Sequence, residues 1–229
     1  MRIFILLFSF ITLTLSAQKT LEAGLSAGML YYLGDINTST QFASYNPELG
    51  IFVRQNLNKR WSIKLSGMMG TLSADDKTSN YKYQQKRNKS FQTSIFELVP
   101  QFEFNFLPYK IGGGRGVSKF TPYLASGLGF LLVRGDSKSY QITIPMSLGL
   151  KLSINDKAEI GVNWSFRKTF FDDLDNLSSQ KYDLKTMYYS SARYKQNGFG
   201  NDDDWYAFAE IFIVYKIFDS WNICNAYDF

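Results

Sequence analysis

Apolar and polar side chains alternate with a period of two along eight stretches: Leu21–Leu33, Tyr45–Leu57, Trp61–Leu72, Phe91–Leu107, Phe120–Arg134, Tyr140–Ile154, Ala158–Phe170 and Trp205–Phe218. Successive side chains of a strand point to opposite faces, so each stretch predicts a strand with one apolar and one polar face. In Trp205–Phe218, one face takes Trp205, Ala207, Ala209, Ile211, Ile213, Tyr215 and Ile217. The other takes Tyr206, Phe208, Glu210, Phe212, Val214 and Lys216. In Tyr140–Ile154, the row from Ile142 through Met146 to Leu152 opposes Gln141, Thr143, Ser147, Gly149, Lys151 and Ser153. A strand that crosses a membrane needs ~9–11 residues and carries aromatic residues where it meets the interfaces. Trp205 and Tyr206 stand at one end of the last stretch, Tyr215 and Phe218 at the other.

The connectors alternate in length. Asn58-Lys59-Arg60 and Asn155-Asp156-Lys157 are tight turns, and residues 108–119 form a moderate glycine-rich loop. Residues 34–44, 73–90 and 171–204 are long and polar, and Gly135–Ser139 is short. An even strand number with short turns at one end and long loops at the other is the pattern of single-chain bacterial barrels. The predicted fold is therefore all-β: an eight-stranded antiparallel transmembrane up-and-down barrel of the outer-membrane type, with a closed polar interior. In such a barrel the short turns and both termini face the periplasm, and the long loops face outward. Pro100 has no N–H to give its neighbour, which predicts a local bulge in the fourth strand.

The two faces differ in charge. One is nearly uncharged. The other carries Glu22, Glu48, Glu97, Glu103, Glu159 and Glu210 together with Arg54, Lys64, Lys151 and Arg167. Eight strands enclose a space only wide enough for side chains. These charges are then expected to neutralise one another inside, because each left unpaired carries a heavy desolvation penalty. A barrel filled this way is expected not to conduct. Alternation by itself does not say which face meets lipid. A secreted lipocalin-like barrel, apolar inside and charged outside, has the same period.

Three features favour the membrane: the aromatic strand ends, the asymmetric loops and the N-terminus. Arg2, the apolar run Ile3–Leu15 and the small residues at Ser16-Ala17 read as a secretory signal peptide, too short to span a bilayer. The expected division is a signal peptide over 1–17, a barrel over 18–218 and a periplasmic tail over 219–229. Aromatics are 17% of the chain, more than the core of a soluble domain calls for, which suits lipid-facing strands and interfacial girdles. The net charge of +5 comes from scattered bases, so nucleic acid is not an expected partner.

The sequence contains no histidine, which removes Ser-His-Asp triads, histidine bases and histidine metal ligands. Carboxylates such as Glu97 and Glu103 read as lumen filling. Asp172, Asp173 and Asp175, with Asp202, Asp203 and Asp204, cluster at the ends of the longest loop. Carboxylates suit Ca²⁺, but the spacing is not that of an EF-hand and solvated loop ends are the plainer reading. Gly112–Gly116 has no following GK[ST] and reads as a flexible connector. No cofactor, metal, catalytic residue or small-molecule substrate is expected. Cys224 is the one cysteine. In an oxidising compartment it is an inert tail thiol, a lipid-shielded side chain or one half of a disulfide to a periplasmic partner.

Tyr31-Tyr32-Leu33-Gly34-Asp35-Ile36-Asn37, Asn46-Pro47-Glu48, Asp204-Trp205-Tyr206 and the Cys224-Asn225-Ala226-Tyr227 tail resemble the PorG family. PorG is the small outer-membrane barrel of the type IX secretion system. The resemblance spans nearly the whole chain after the signal peptide, on short motifs. It implies a non-enzymatic barrel that holds the periplasmic ring, a lipoprotein and its partner subunit, against the outer membrane, and that supports gliding where gliding occurs. It makes Cys224 the candidate covalent link to the ring lipoprotein, with Tyr227 beside it as a partner-binding candidate. The alternative is a barrel that binds a ligand or a surface partner through loops 73–90 and 171–204.

Overall fold

A computed structural model describes residues 20–33, 45–75, 90–134, 138–170 and 205–219. The expected signal peptide, residues 34–44, 76–89 and 171–204 with the acidic clusters, and the tail with Cys224 and Tyr227 lie outside the described residues.

The described chain is eight antiparallel strands: β1 (Thr20–Leu33), β2 (Asn46–Asn56), β3 (Trp61–Asp75), β4 (Ser90–Asn105), β5 (Phe120–Gly127 and Gly129–Arg134), β6 (Lys138–Ser153), β7 (Ala158–Thr169) and β8 (Trp205–Asp219). Each strand pairs with its neighbours in sequence, and β1 also pairs with β8, from Thr20↔Asp219 to Leu33↔Trp205. The sheet therefore closes on itself and has no free edge. Thr20 and Asp219 sit at the end of the barrel that carries the turns 57–60 and 154–157.

Pro100 does not make the expected bulge. β4 keeps one register with β3 through Leu65↔Pro100, and the same offset with both halves of β5. The missing donor shows on the neighbouring strand instead. Leu128 donates its N–H to the Pro100 carbonyl at 3.2 Å and receives nothing back, so β5 is interrupted at that one residue. The β5–β6 pairing places Pro145 against the same break from the other side. The register shift lies between Leu21 and Glu22, where β1 meets the end of β8.

The period of two sorts the faces as the alternation predicts, and the structure settles which face is outside. Leu25 and Ile51 are each 66% exposed and Ile213 60%, whereas Glu22 is 1% exposed and Arg54 2%. Leu49, Leu65, Phe102, Leu124, Phe130, Leu148, Val162 and Trp164 continue the outward apolar belt around the barrel. A belt of this size in water exposes apolar surface far beyond what monomeric soluble proteins tolerate, and in lipid it is solvated. The lipocalin-like alternative requires the reverse arrangement. Inside, two apolar clusters fill the barrel at different heights: Leu30, Tyr32, Met68, Leu72, Ile95 and their neighbours toward the long loops, and Phe52, Tyr109, Ile111, Tyr123, Phe212 and Val214 toward the turns.

Candidate functional site: a self-neutralising lumen and a capped mouth

All ten charged residues picked out from the alternation face the interior, nine of them buried and Glu210 partly so. They divide into two groups. Toward the turns, Arg54 on β2 donates Nε to Glu22 Oε2 on β1 at 2.7 Å and Nη2 to Glu159 Oε1 on β7 at 2.6 Å. Its Nη1 lies 3.6 Å from Glu103 Oε2 on β4. Glu103 also takes Lys151 Nζ from β6 at 2.6 Å and faces Lys64 Nζ from β3 at 3.2 Å. Three acids and three bases balance, and they tie six strands together across the lumen. The other two strands supply rings. Tyr123 on β5 lies under Lys151 Nζ at 4.4 Å, and Phe212 on β8 meets Phe52 edge-on at 5.8 Å. Asn56 and Asn105 complete the shell by hydrogen bonding Glu22 and Lys151. The rings fit because Gly24, Gly149 and Gly161 stand where a Cβ would enter Phe52, Tyr123 and Phe212.

Higher up, the balance fails. Arg167 donates Nε to Glu97 Oε2 at 2.9 Å, and Thr143 donates to the other Glu97 oxygen. Asn163 Nδ2 donates to Glu210 Oε1 at 2.8 Å. Glu48 is 1% exposed, and neither of its oxygens has a hydrogen-bond partner among the described residues. Glu48 and Glu210 flank Gly28 from β2 and β8 in one row of the ladder. Three acids therefore share one arginine.

The mouth at the turn end is closed by residues 108–119, and here the expectation of a flexible connector is corrected. Tyr109 and Ile111 are buried inside the barrel, 7% and 1% exposed. Tyr109 N donates to the Lys59 carbonyl at 2.8 Å, in the β2–β3 turn. Gly112 N donates to Ser153 Oγ at 2.8 Å, at the end of β6. A Cβ on Gly112 would lie 3.1 Å from Asp156 Cα, in the β6–β7 turn. The segment thus crosses the mouth as a cap. Its glycines are there for backbone geometry: Gly112, Gly113, Gly114 and Gly116 have φ of 91°, 70°, 139° and 67°, a region that strains other residues. The Tyr109 hydroxyl points to the lumen network. Burial, and after it the Glu159 carboxylate, pushes its pKa well above the ordinary tyrosine value, so it stays protonated.

The alternation found the charged rows but not their pairing, because strand order and register decide which charges meet. It missed the neutral partners Asn56, Asn105, Thr143, Ser165 and Asn163, which carry no distinguishing signal. It also missed the cap, although two apolar residues spaced by two, Tyr109 and Ile111, between Pro108 and the glycine run were the available sign. The described residues hold no group of three acidic, cysteine or histidine side chains placed to bind a metal ion.

No curated protein matches the sequence. A family model described as a domain of unknown function, DUF6089, matches residues 1–226. Among solved structures, Neisserial surface protein A has 8% identity, with 87% of this chain and 97% of that one covered and a TM-score of 0.49. Outer membrane protein OprG of Pseudomonas aeruginosa has 10% identity, coverage of 88% and 96%, and a TM-score of 0.44. Ail, the attachment invasion locus protein of Yersinia pestis, has 9% identity, coverage of 87% and 98%, and a TM-score of 0.44. These likenesses are of fold alone.

Proposed function

Starting from a chain that belongs to the DUF6089 family, we propose a non-enzymatic outer-membrane barrel that anchors or organises the periplasmic ring of the type IX protein secretion system. The observation that carries this reading is the interior: the balanced network around Arg54 and the cap over it fill the lumen at the turn end. A barrel with a filled lumen works through its ends and its outer surface. The apolar belt seeks lipid, and the barrel's two chain ends meet at the turn side. Export with short turns inward puts that side, and the 219–229 tail, in the periplasm. The motifs around Tyr31–Asn37, Asn46–Glu48 and Cys224–Tyr227 supply the specific assignment through their resemblance to PorG. On that reading Cys224 forms the disulfide to the ring lipoprotein.

The test is extraction followed by electrophoresis. The protein leaves membranes only with detergent and migrates differently before and after heating. A high-mass band on a non-reducing gel disappears in Cys224→Ser, and its second component is a periplasmic lipoprotein. The competing reading, ligand or surface binding through the long loops, draws on the three long connectors at the opposite end. It wins if deletion of 220–229 leaves secretion and assembly intact while shortening 73–90 or 171–204 abolishes function.

A further inference from the structure

The turn-side connectors are one-sided in charge. Residues 57–60, 106–119 and 154–157 contain six bases, Lys59, Arg60, Lys110, Arg115, Lys119 and Lys157, against the single acid Asp156. Arg60, Arg115, Lys119 and Lys157 are exposed. Two of them, Arg115 and Lys119, lie on the segment that crosses the mouth. Arg115 and Gly116 form the tip of a tight turn closed by the Gly114↔Val117 bridge. That turn belongs to the cap, which is fixed to the β2–β3 turn, to β6 and to the β6–β7 turn. The Lys119 stem lies against the cap, with its Cγ 3.2 Å from where a Gly113 Cβ would be. Arg60 Nη1 donates to the Phe106 carbonyl at 2.7 Å, at the entry to the cap.

We propose that Arg60, Arg115, Lys119 and Lys157 make the capped mouth a preformed docking face for an acidic surface of a periplasmic protein. The inference rests on the anchor reading above and adds where the partner sits and what charge it presents. Phospholipid headgroups are the competing anion. They ring the outside of the barrel, whereas Arg115 and Lys119 ride on a segment that crosses its opening. The cap's fixed backbone lowers the ordering cost of docking. Clustered exposed bases steer an acidic partner and fix its register, in a salt-sensitive way.

The experiment places a photo-cross-linking amino acid at Val117, half-exposed beside Arg115, in the full chain in its native membrane. The expected product is one protein adduct whose cross-linked peptide carries more Asp and Glu than Lys and Arg. R115E/K119E/K157E cuts its yield at least tenfold, R115Q/K119Q/K157Q gives an intermediate loss, and heat-modifiable mobility shows that both variants still fold. A lipid adduct alone, a peptide without acidic excess, a yield indifferent to charge reversal, or no adduct overturns the proposal. The Cys224→Ser chain separates the two ideas. If secretion survives both that change and deletion of 220–229 but is lost when 73–90 or 171–204 is shortened, while the adduct keeps its charge dependence, the anchor reading falls and the basic docking face stands.

Discussion

Arg54 and Glu159 are 105 residues apart in the chain and 2.6 Å apart in the barrel, joined across the lumen with β1 and β8 between their strands. The same guanidinium holds Glu22 and faces Glu103. Removing one partner from such a cluster leaves uncompensated carboxylates in a buried interior, which costs ~3–5 kcal/mol. Arg54→Met is therefore expected to destabilise the barrel by about that amount, read as a lower urea midpoint for unfolding in detergent micelles. Lys64→Met is expected to cost less, because Glu103 keeps Lys151 at 2.6 Å and its contact with Lys64 is a looser 3.2 Å.

Glu48 presents the opposite case. It is buried without a hydrogen-bond donor among the described residues and shares its row with Glu210 across Gly28. An unsatisfied buried polar group costs about 1–3 kcal/mol, more when charged. Glu48→Gln keeps the shape, removes the like-charge repulsion and is expected to stabilise the protein by ~1 kcal/mol or more. The same unfolding assay in alkaline buffer, where both carboxylates are ionised, reads it, and a lower midpoint for the variant refutes the assignment of Glu48 as unpartnered.

The cap depends on backbone that only glycine adopts easily. Gly112 has φ of 91°, and a Cβ there would lie 3.1 Å from Asp156 Cα, so a methyl group is both strained and crowded. Gly112→Ala is expected to cost about 1–3 kcal/mol locally and to loosen residues 108–119. Trypsin reports this directly. Cleavage after Arg115 is slow in the parent protein and at least several-fold faster in the variant, while the strands remain protected. Equal rates mean that the connector is mobile in both.

The strands were legible because a period of two survives any tertiary context that keeps one face in lipid. Trp61–Leu72 and Ala158–Phe170 fell within a few residues of β3 and β7 at each end for that reason. Alternation is symmetric, however, and says nothing about which face is inside. It was Glu22 and Arg54 buried against Leu25 and Ile51 exposed that decided the matter. Pro100 misled because a missing donor breaks a hydrogen bond without inserting a residue, so the register passes through and the gap appears at Leu128. Residues 108–119 mislead because a glycine run reads as freedom. Here positive φ at four positions specifies one path over the mouth.

The remaining prediction concerns conduction, and it separates two seals that lie in series. The outer one is the cap, with Tyr109 and Ile111 buried in the opening. The inner one is the network around Arg54, whose ion pairs reach six strands and whose rings, Tyr123 and Phe212, come from the other two. Beside Gly50 and Glu210 the interior leaves a void of about 20 Å³, room for a water molecule but not for a file of hydrated ions. Purified protein in a planar bilayer is expected to show no reproducible single-channel steps. Tyr109→Ala/Ile111→Ala, which empties the cap's hold on the barrel, is expected to remain silent, because the ionic layer beneath it still fills the section that eight strands enclose. Steps that appear only in the double variant place the seal in the cap alone. Steps in the parent protein mean that the buried charges line a water-filled path rather than neutralise one another.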